Sequence, residues 1–253
     1  MLERIHEIPG SVLSADEYLD DFWPHFRRID DAFWKLERIQ SFREAGEPSW
    51  VAMMEGDWNR SLKLIDDKRV ALREHERQTD SFARRRIRIV EQPVTPYLQW
   101  EMHVLALRVA AAEKVRVLDA GKVADLELGR RLPELVVLGS LVMYEVTYDS
   151  SGTHSGARRI DDLEVIAACR GSSTSYTRLG RTSRPTTSAR SYLCLLLGRL
   201  SEVKGAACAE ATVGHSHGQA FLDLHAARPG CHRGGRDGDC IAVRAAAPSG
   251  RVG

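Results

Sequence analysis

The sequence predicts an α+β or α/β fold with a small mixed sheet, in the order β-α-β-β-β-α, covered by helices and preceded by a helical N-terminal part. Short segments alternate apolar and charged residues with a period of two, which is typical of strands. Longer segments repeat apolar residues at helical spacing. Hydrophobic residues make up 43% of the 253 positions, which is sufficient for a core.

The chain divides into segments of opposite charge. Residues 1–169 hold 24 Lys and Arg against 30 Asp and Glu, a net charge of −6, whereas residues 170–253 hold 12 against 5, a net charge of +7. All five tryptophans lie in the first segment, and four of the five cysteines lie in the second. We therefore expect an N-terminal extension over residues 1–17, one domain over residues 18–170, and an irregular tail over residues 171–253.

The first half of the domain is predicted to be mainly helical. "DDFWPHFRRIDDAFWKLE" indicates a short helix followed by an extended or helical segment, and the Gly and Pro of "REAGEPSW" indicate a loop. Asp57 is a suitable N-cap for a single helix from Trp58 to Gln78, because apolar residues recur there at helical spacing.

A strand is predicted at "RRRIRIV", where Ile87 and Ile89 alternate with arginines. The basic run consists of Arg84, Arg85, Arg86 and Arg88. Clustered arginines can bind phosphate, but a domain of net charge −6 is a poor non-specific binder of nucleic acid. We therefore expect these arginines to form a solvent-exposed strand face, without direct nucleic-acid binding.

The best-specified helix follows, with Thr95 as N-cap and Pro96 at the first helical position. Its apolar stripe comprises Tyr97, Trp100, Val104, Leu107 and Ala111. Because Trp100 lies on this stripe, the helix should bury it against the core.

Three strands and a last helix complete the predicted domain. "KVRVLDA" is one strand, and "LPELVVLGSLVMYEVTYDSSG" gives two strands that meet at Gly139 and end in a polar turn at residues 149–152. "DDLEVIAACR" begins a helix at Asp161 or Asp162. We expect that helix to stop after Arg170 and to leave apolar surface open beside Ile166 and the strands at 135–146.

The quoted strands and the Thr95 helix also carry a family resemblance. They are similar to an actinobacterial family designated domain of unknown function 6879, most specifically at "PVTPYLQWE", over residues 18–170. The resemblance implies a fold and a cytosolic context without an established activity. It also implies genes near helix-turn-helix regulators, and thus a helix-turn-helix regulator as a partner.

The periodic pattern ends at "GSSTSYTRLGRTSRPTTSAR", where Ser, Thr, Arg and Gly replace it. One hypothesis is that a nucleotide was lost near the codon for Gly171. If Ser172 and Ser173 use TCN codons, the first two codons of the shifted frame encode only Phe, Leu, Ile or Val, which suit a continuing helix. The alternative is a natural disordered tail of similar composition.

Several residues could support acid/base chemistry: Glu91, Glu101, His103, Asp119, Tyr144, Glu145 and Asp149. Glu101 and His103 are two positions apart and do not share a helix face, while Asp119 and Asp149 are typical of turns. The strongest candidates for a cleft are Glu91, Tyr97, Glu101 and Tyr144. They would serve a small hydrolase or nucleotide-processing enzyme with a degenerate phospholipase D-like half-domain, although the His-x-Lys-x4-Asp motif of that fold is missing.

We expect no cofactor and no metal site. The tail holds residues of zinc-binding types, namely Cys208, His215, His217, His225, Cys231, His232 and Cys240, but without a CxxC pair. The sequence also lacks a secretory signal and an apolar run long enough for a membrane span, which predicts a cytoplasmic protein without membrane association. The leading functional prediction is an interaction or ligand-sensing accessory domain of a helix-turn-helix transcriptional regulator.

Overall fold

The computed structural model describes residues 2–29, 31–78 and 82–179. Seven strands form one mixed sheet. They are β1 (Ser11–Ser14), β2 (Ala32–Glu37), β3 (Ala83–Val90), β4 (Lys114–Asp119), β5 (Glu134–Leu138), β6 (Val142–Tyr148) and β7 (His154–Ile160). The predicted mixture of helices and a mixed sheet is confirmed, and the sheet is larger than the sequence indicated.

Helices cover both faces of this sheet. The described residues form α1 (Ala15–Phe26), α2 (Pro48–Met54), α3 (Trp58–Asp67), α4 (Arg69–Gln78), α5 (Pro96–Ala110) and α6 (Leu163–Leu179). Short 3-10 helices occur at Leu2–Glu7, Ala120–Lys122 and Ala124–Leu126. The helix predicted from Thr95 is confirmed, since the Leu98 amide donates to the Thr95 hydroxyl at 3.2 Å.

The sheet order is β1-β7-β6-β5-β2-β3-β4. The pairs β2–β3 and β3–β4 are parallel, and the other pairs are antiparallel. Each parallel pair is joined through helices, as parallel connections require. Strand β3 is therefore internal, with a neighbour on either side.

One face of the sheet is sealed by the N-terminal 3-10 helix and α6. Leu2 and Ile5 are buried in the same core cluster as Trp34, Met143 and Ile166. Leu2 and Ile5, in the segment expected to be an N-terminal extension, thus pack into the core under the sheet. The N-terminal 3-10 helix also helps to cover the surface that was expected to be exposed beside Ile166. Ile166 is 1% exposed, and the whole of β5 is buried.

Two apolar clusters lie on the opposite face. α1 contributes Tyr18 and Phe22 to one cluster, and α5 contributes Trp100 and Leu105 to the other. Trp100 is fully buried, which confirms its predicted orientation.

Two predicted boundaries in the first half of the domain are wrong. The loop expected through residue 50 is replaced from Pro48 onward by α2, because Glu47 caps that helix by accepting from the Ser49 amide at 3.2 Å. The single helix expected over residues 58–78 breaks at Lys68, whose amide donates to the Ile65 carbonyl at 3.2 Å in a tighter turn.

The last helix also differs from its prediction, because α6 continues past Arg170 to Leu179. It begins after Asp162, whose carboxylate accepts from the Val165 amide at 3.1 Å. The tail beyond residue 179, including its Cys and His residues, lies outside the described residues.

Candidate functional site

Three of the four arginines of β3 are buried, contrary to the solvent-exposed face predicted for them, and Arg85 is half-buried. Arg84 and Arg86 are each 5% exposed and Arg88 is 0% exposed. The sequence showed a period of two but could not show that β3 is an internal strand with a helix over its arginine face. The alternation of apolar and charged residues predicts a strand. Whether both faces of that strand are covered depends on its place in the sheet.

The carboxylate of Glu37, on β2, contacts two basic side chains on the face of the sheet that carries the arginines of β3. One oxygen, Oε1, lies 2.7 Å from Lys35 Nζ and accepts from Arg86 Nη1 at 2.6 Å. Burial alone would raise the pKa of Glu37, but Arg86, Lys35 and Arg88 outweigh it and hold that pKa far below its usual range. Glu37 is therefore ionised at neutral pH.

The network continues through Arg86 towards α5. Arg86 Nε donates to Glu113 Oε1 at 2.7 Å, and Arg108 Nη1 of α5 lies 3.7 Å from Glu113 Oε2. Burial opposes the charge of Glu113, but Arg86 and Arg108 together lower its pKa. Charges of alternating sign thus follow one another from the sheet to the helix that covers it.

A second buried pair connects β3 to α5. Arg88 Nε donates to Glu101 Oε2 at 2.7 Å, and Arg88 Nη1 donates to the main-chain oxygens of Glu37 and Ile89, each at 3.3 Å. Arg88 also lies over the ring of Phe42, 5.8 Å from its centroid. Burial raises the pKa of Glu101, and its ion pair with Arg88 only partly opposes that effect.

Two further buried carboxyls have a pKa near neutrality. Burial raises the pKa of Glu44 to about 7, and it also raises that of Glu134 to about 7. Glu134 Oε1 accepts from the amides of Arg38 and Ile39, each at 2.5 Å. Glu44 is 5% exposed, and its side chain makes no hydrogen bond within the described parts of the chain.

Several of these side chains border a narrow cleft of about 20 Å³ between the sheet and α5. Its charged lining consists of Lys35, Glu37, Glu44, Arg86, Glu101 and Arg108. Its aromatic lining consists of Phe42, Tyr97 and Trp100. Such a cleft combines fixed charges with aromatic walls, which is suitable for orienting a small polar molecule.

Of the four residues predicted to form a cleft, Tyr97 and Glu101 line this one together. Glu91 lies elsewhere, and its carboxylate pairs with Arg38 at 2.7 Å and Arg131 at 3.1 Å. Tyr144 is in the α1 cluster, where its hydroxyl donates to Asp21 at 2.6 Å. The structure therefore brings two of the four together.

The other acid/base candidates have local contacts. Asp119 accepts from the Gly121 amide at 2.8 Å, and Asp149 accepts from the Ser151 amide at 2.9 Å, as expected of turn residues. Glu145 pairs with Arg158 at 2.5 Å. His103 is half-buried, and that burial lowers its pKa.

Most of the cleft lining is not evident from the sequence. It includes Lys35, Glu37, Glu44 and Arg108, which carry no motif, and Arg86, which the period of two places in solvent. One signal could have indicated part of this set: "AFWKLE" places Glu37 on a charged side of its strand, and "RRRIRIV" places arginines on its own strand with the same period of two. Adjacent parallel strands with that pattern can pair their charges across one face.

The described residues contain no group of three or more His, Cys, Asp or Glu placed to hold a metal ion. Within the same residues, no helix has both the length and the apolar character to cross a membrane.

A family model described as "Domain of unknown function (DUF6879)" matches residues 20–180. No curated protein matches the chain. Among solved structures, one similar chain comes from "Structure of TrmBL2, an archaeal chromatin protein, shows a novel mode of DNA binding", with a TM-score of 0.33 and 9% identity. The similarity covers 68% of this chain and 54% of that one, so this chain spans about half of its length.

Proposed function

The chain belongs to the DUF6879 family of domains of unknown function, and we propose that it is a ligand-sensing accessory domain that binds a small polar molecule in its charged cleft. The partner that would read this signal is a helix-turn-helix transcriptional regulator in the cytoplasm. The partner and the location come from the family resemblance, whereas the binding site comes from the geometry of the cleft.

One observation carries the proposal: the cleft is lined by Glu37, whose Oε2 is buried and accepts no hydrogen bond from any described residue. Buried polar groups are nearly always hydrogen-bonded, and each unsatisfied one reduces stability. A bound molecule would supply the missing donor.

The cleft as it stands is narrow. It has room for about 20 Å³, on the order of one water molecule, so a larger ligand would enter only as the lining side chains move. Buried ion pairs are also a poor source of stability, since apolar residues of similar volume often stabilise a protein more. A role in ligand binding would explain why charged side chains occupy this part of the core.

Binding is favoured over catalysis because the described side chains that line the cleft include no Ser, Thr, Cys or His that could act as a nucleophile. Burial raises the pKa of Tyr97 well above 10, so its phenol stays protonated at neutral pH. Glu101 is held by Arg88, and Cys169 lies in the cluster on the opposite face. The cleft thus brings Tyr97 and Glu101 together without a nucleophile that either could activate.

The proposal is tested by thermal unfolding of the full chain with a panel of small amines, carboxylates, sugars and nucleotides. We expect one class to raise the melting temperature in proportion to the logarithm of its concentration. A panel that leaves the melting temperature unchanged at millimolar concentrations contradicts ligand binding.

The regulator is tested separately. The full chain should co-purify with the regulator encoded beside it, and the amount recovered should change when the stabilising ligand is added. Failure to recover that regulator over a range of salt concentrations contradicts the accessory role, even where the ligand binds.

A further inference from the structure

We propose that a groove between helix α6 and the first residues of β2 and β3 binds a small carboxylate, whose oxygens accept hydrogen bonds from the guanidinium of Arg85. This site goes beyond the proposed function, because it lies on the other face of the sheet from the charged cleft. Arg85 and Arg86 are neighbours on β3, and successive side chains of a strand point to opposite faces.

The groove is large enough for a small molecule. It has room for about 320 Å³ and is open to solvent. That volume is at the lower end of the range of about 300–1,000 Å³ that is usual for small-molecule sites. Its lining includes Asp31, Ala32, Trp34, Arg85, Ala167 and Arg170.

The first argument is that the guanidinium of Arg85 lacks an acceptor. It lies over the ring of Trp34, 4.8 Å from the centroid, and this contact positions the group without neutralising its charge. Its Nε is buried, and no described residue accepts a hydrogen bond from the Arg85 side chain or pairs with its charge. A ligand in the groove would reach the terminal nitrogens, whose planar arrangement matches the two oxygens of a carboxylate.

The second argument is that the carboxylate already present in the groove is engaged elsewhere. Asp31 Oδ2 forms an ion pair with Arg170 of α6, and Asp31 Oδ1 accepts from the amide of Ala32. Asp31 and Arg170 therefore balance each other, and Arg85 leaves the lining with one positive charge in excess.

That single excess charge favours a carboxylate over a phosphate. A carboxylate brings one negative charge, whereas a phosphate dianion brings a second that the lining does not balance and that Asp31 repels. The small side chains of Ala32 and Ala167 leave space beside Arg85 for the apolar part of a carboxylic acid.

The experiment is an NMR titration of the full chain with benzoate at pH 8. It follows the Nε–Hε signal of Arg85, assigned by its loss in Arg85→Met, and the backbone amide of Ala167. Benzamide is the neutral control of nearly the same shape, and inorganic phosphate is the dianionic control. We expect benzoate to shift both signals to saturation. Each control should bind at least about tenfold more weakly, a difference of about 1.4 kcal/mol, because hydrogen bonds to charged groups are the stronger ones.

Two variants test the site through the Ala167 or neighbouring α6 amides. Arg85→Met keeps a long apolar side chain over Trp34 and removes the charge, so benzoate should bind about tenfold or more weakly. Arg60→Met, on α3, is the matched control and should leave the affinity unchanged, since Arg60 is 59% exposed and outside the groove. Ala167→Glu adds a carboxylate at an exposed position of the lining and should also weaken benzoate. It decides alone if Arg85→Met unfolds.

Equal affinity for benzoate and benzamide overturns the assignment, as does undiminished benzoate binding by either folded groove variant. Tighter binding of phosphate than of benzoate overturns the choice of a carboxylate, and the absence of any benzoate binding at millimolar concentrations overturns the site. These outcomes are separate from the test of the charged cleft, because a ligand of that cleft should bind Arg85→Met as well as it binds the wild type.

Discussion

Arg88 of β3 donates a hydrogen bond to Glu101 of α5 at 2.7 Å, with the arginine side chain 0% and the glutamate side chain 7% exposed. This pair joins the central sheet to its covering helix in a place that solvent barely reaches. Buried ion pairs have a characteristic energetic asymmetry: removal of one partner is far more harmful than replacement of both. The pair therefore permits a direct test of the buried network.

Glu101→Ala should lower the free energy of unfolding by about 3–5 kcal/mol, because it leaves Arg88 buried without its carboxylate. The double variant Arg88→Met/Glu101→Leu should recover most of that loss. Urea unfolding followed by Trp fluorescence measures both changes. Arg60→Ala, which removes a pair that is more than half exposed, is the control and should cost at most about 1 kcal/mol. A double variant as unstable as the single one contradicts the asymmetry.

Glu44→Gln should stabilise the protein above neutral pH. The folded pKa of about 7 lies above the ordinary value of 4.5, so the folded state binds the proton more tightly than the unfolded state. The contribution of Glu44 to the free energy of unfolding is therefore greatest below pH 4.5 and is lost as the pH rises through 7. Relative to wild type, Glu44→Gln should gain on the order of 3 kcal/mol between pH 4.5 and pH 8. If the free energies of unfolding of the two proteins change with pH in the same way, the pKa of Glu44 is not raised in the folded state.

Ile5→Ala should destabilise the domain by about 2–5 kcal/mol, because Ile5 is 0% exposed in the core under the sheet. The N-terminal turn is also anchored through Arg158 Nη2, which donates to the Ile5 carbonyl at 2.7 Å. Val12→Ala is the matched control, since Val12 is 82% exposed and should change stability by less than about 0.5 kcal/mol. Similar effects of both substitutions in chemical denaturation would argue against an N-terminal segment packed in the core.

Gly156→Ala should detach the edge strand β1. Gly156 has φ +143°, and a Cβ there would approach the Leu13 main-chain oxygen to 2.1 Å. Such strain costs on the order of 1–3 kcal/mol, and the clash adds to it. Hydrogen exchange of residues 11–14 should accelerate most. Gly129→Ala, where a Cβ meets nothing within 4 Å, is expected to leave that exchange unchanged.

The frameshift hypothesis yields a prediction at the level of the gene. We propose that independent isolates carry one additional nucleotide near the codon for Gly171, so that apolar residues occupy the first positions of the shifted frame on α6. Sequencing across the codons for Cys169 to Thr174 tests this. An intact frame that encodes Gly-Ser-Ser-Thr in several isolates contradicts the hypothesis and favours a natural tail.

Local sequence signals were sufficient for α5 and for the strands from β4 to β6. Thr95 and Pro96 place the start of α5 because both act through the adjacent backbone. Gly139 separates β5 from β6 and has φ +55°, which most residues adopt poorly. These elements depend on interactions between residues that are close in the sequence.

Strand β1 was not predicted because its partner, β7, is remote in the sequence, whereas β7 pairs with the adjacent β6 but has an indistinct pattern. Strand β7 carries Arg158 and Arg159 within "HSGARRI", and these residues are paired with Glu145 and Asp21 from other elements. Period-two burial is difficult to recognise when the inward positions are occupied by Gly and Ala and the charges have distant partners.

The sequence by itself determined the class of fold, the cap and buried stripe of α5, and the turns at Asp119 and Asp149. Only the tertiary structure decided that Arg84, Arg86 and Arg88 are buried and that Glu37, Glu44 and Glu101 border one cleft. The physical reason is that a charged side chain on a strand is compatible with solvent or with a buried partner of opposite sign. Which of these it meets depends on strand order and on the helix packed above, and neither is encoded within the strand.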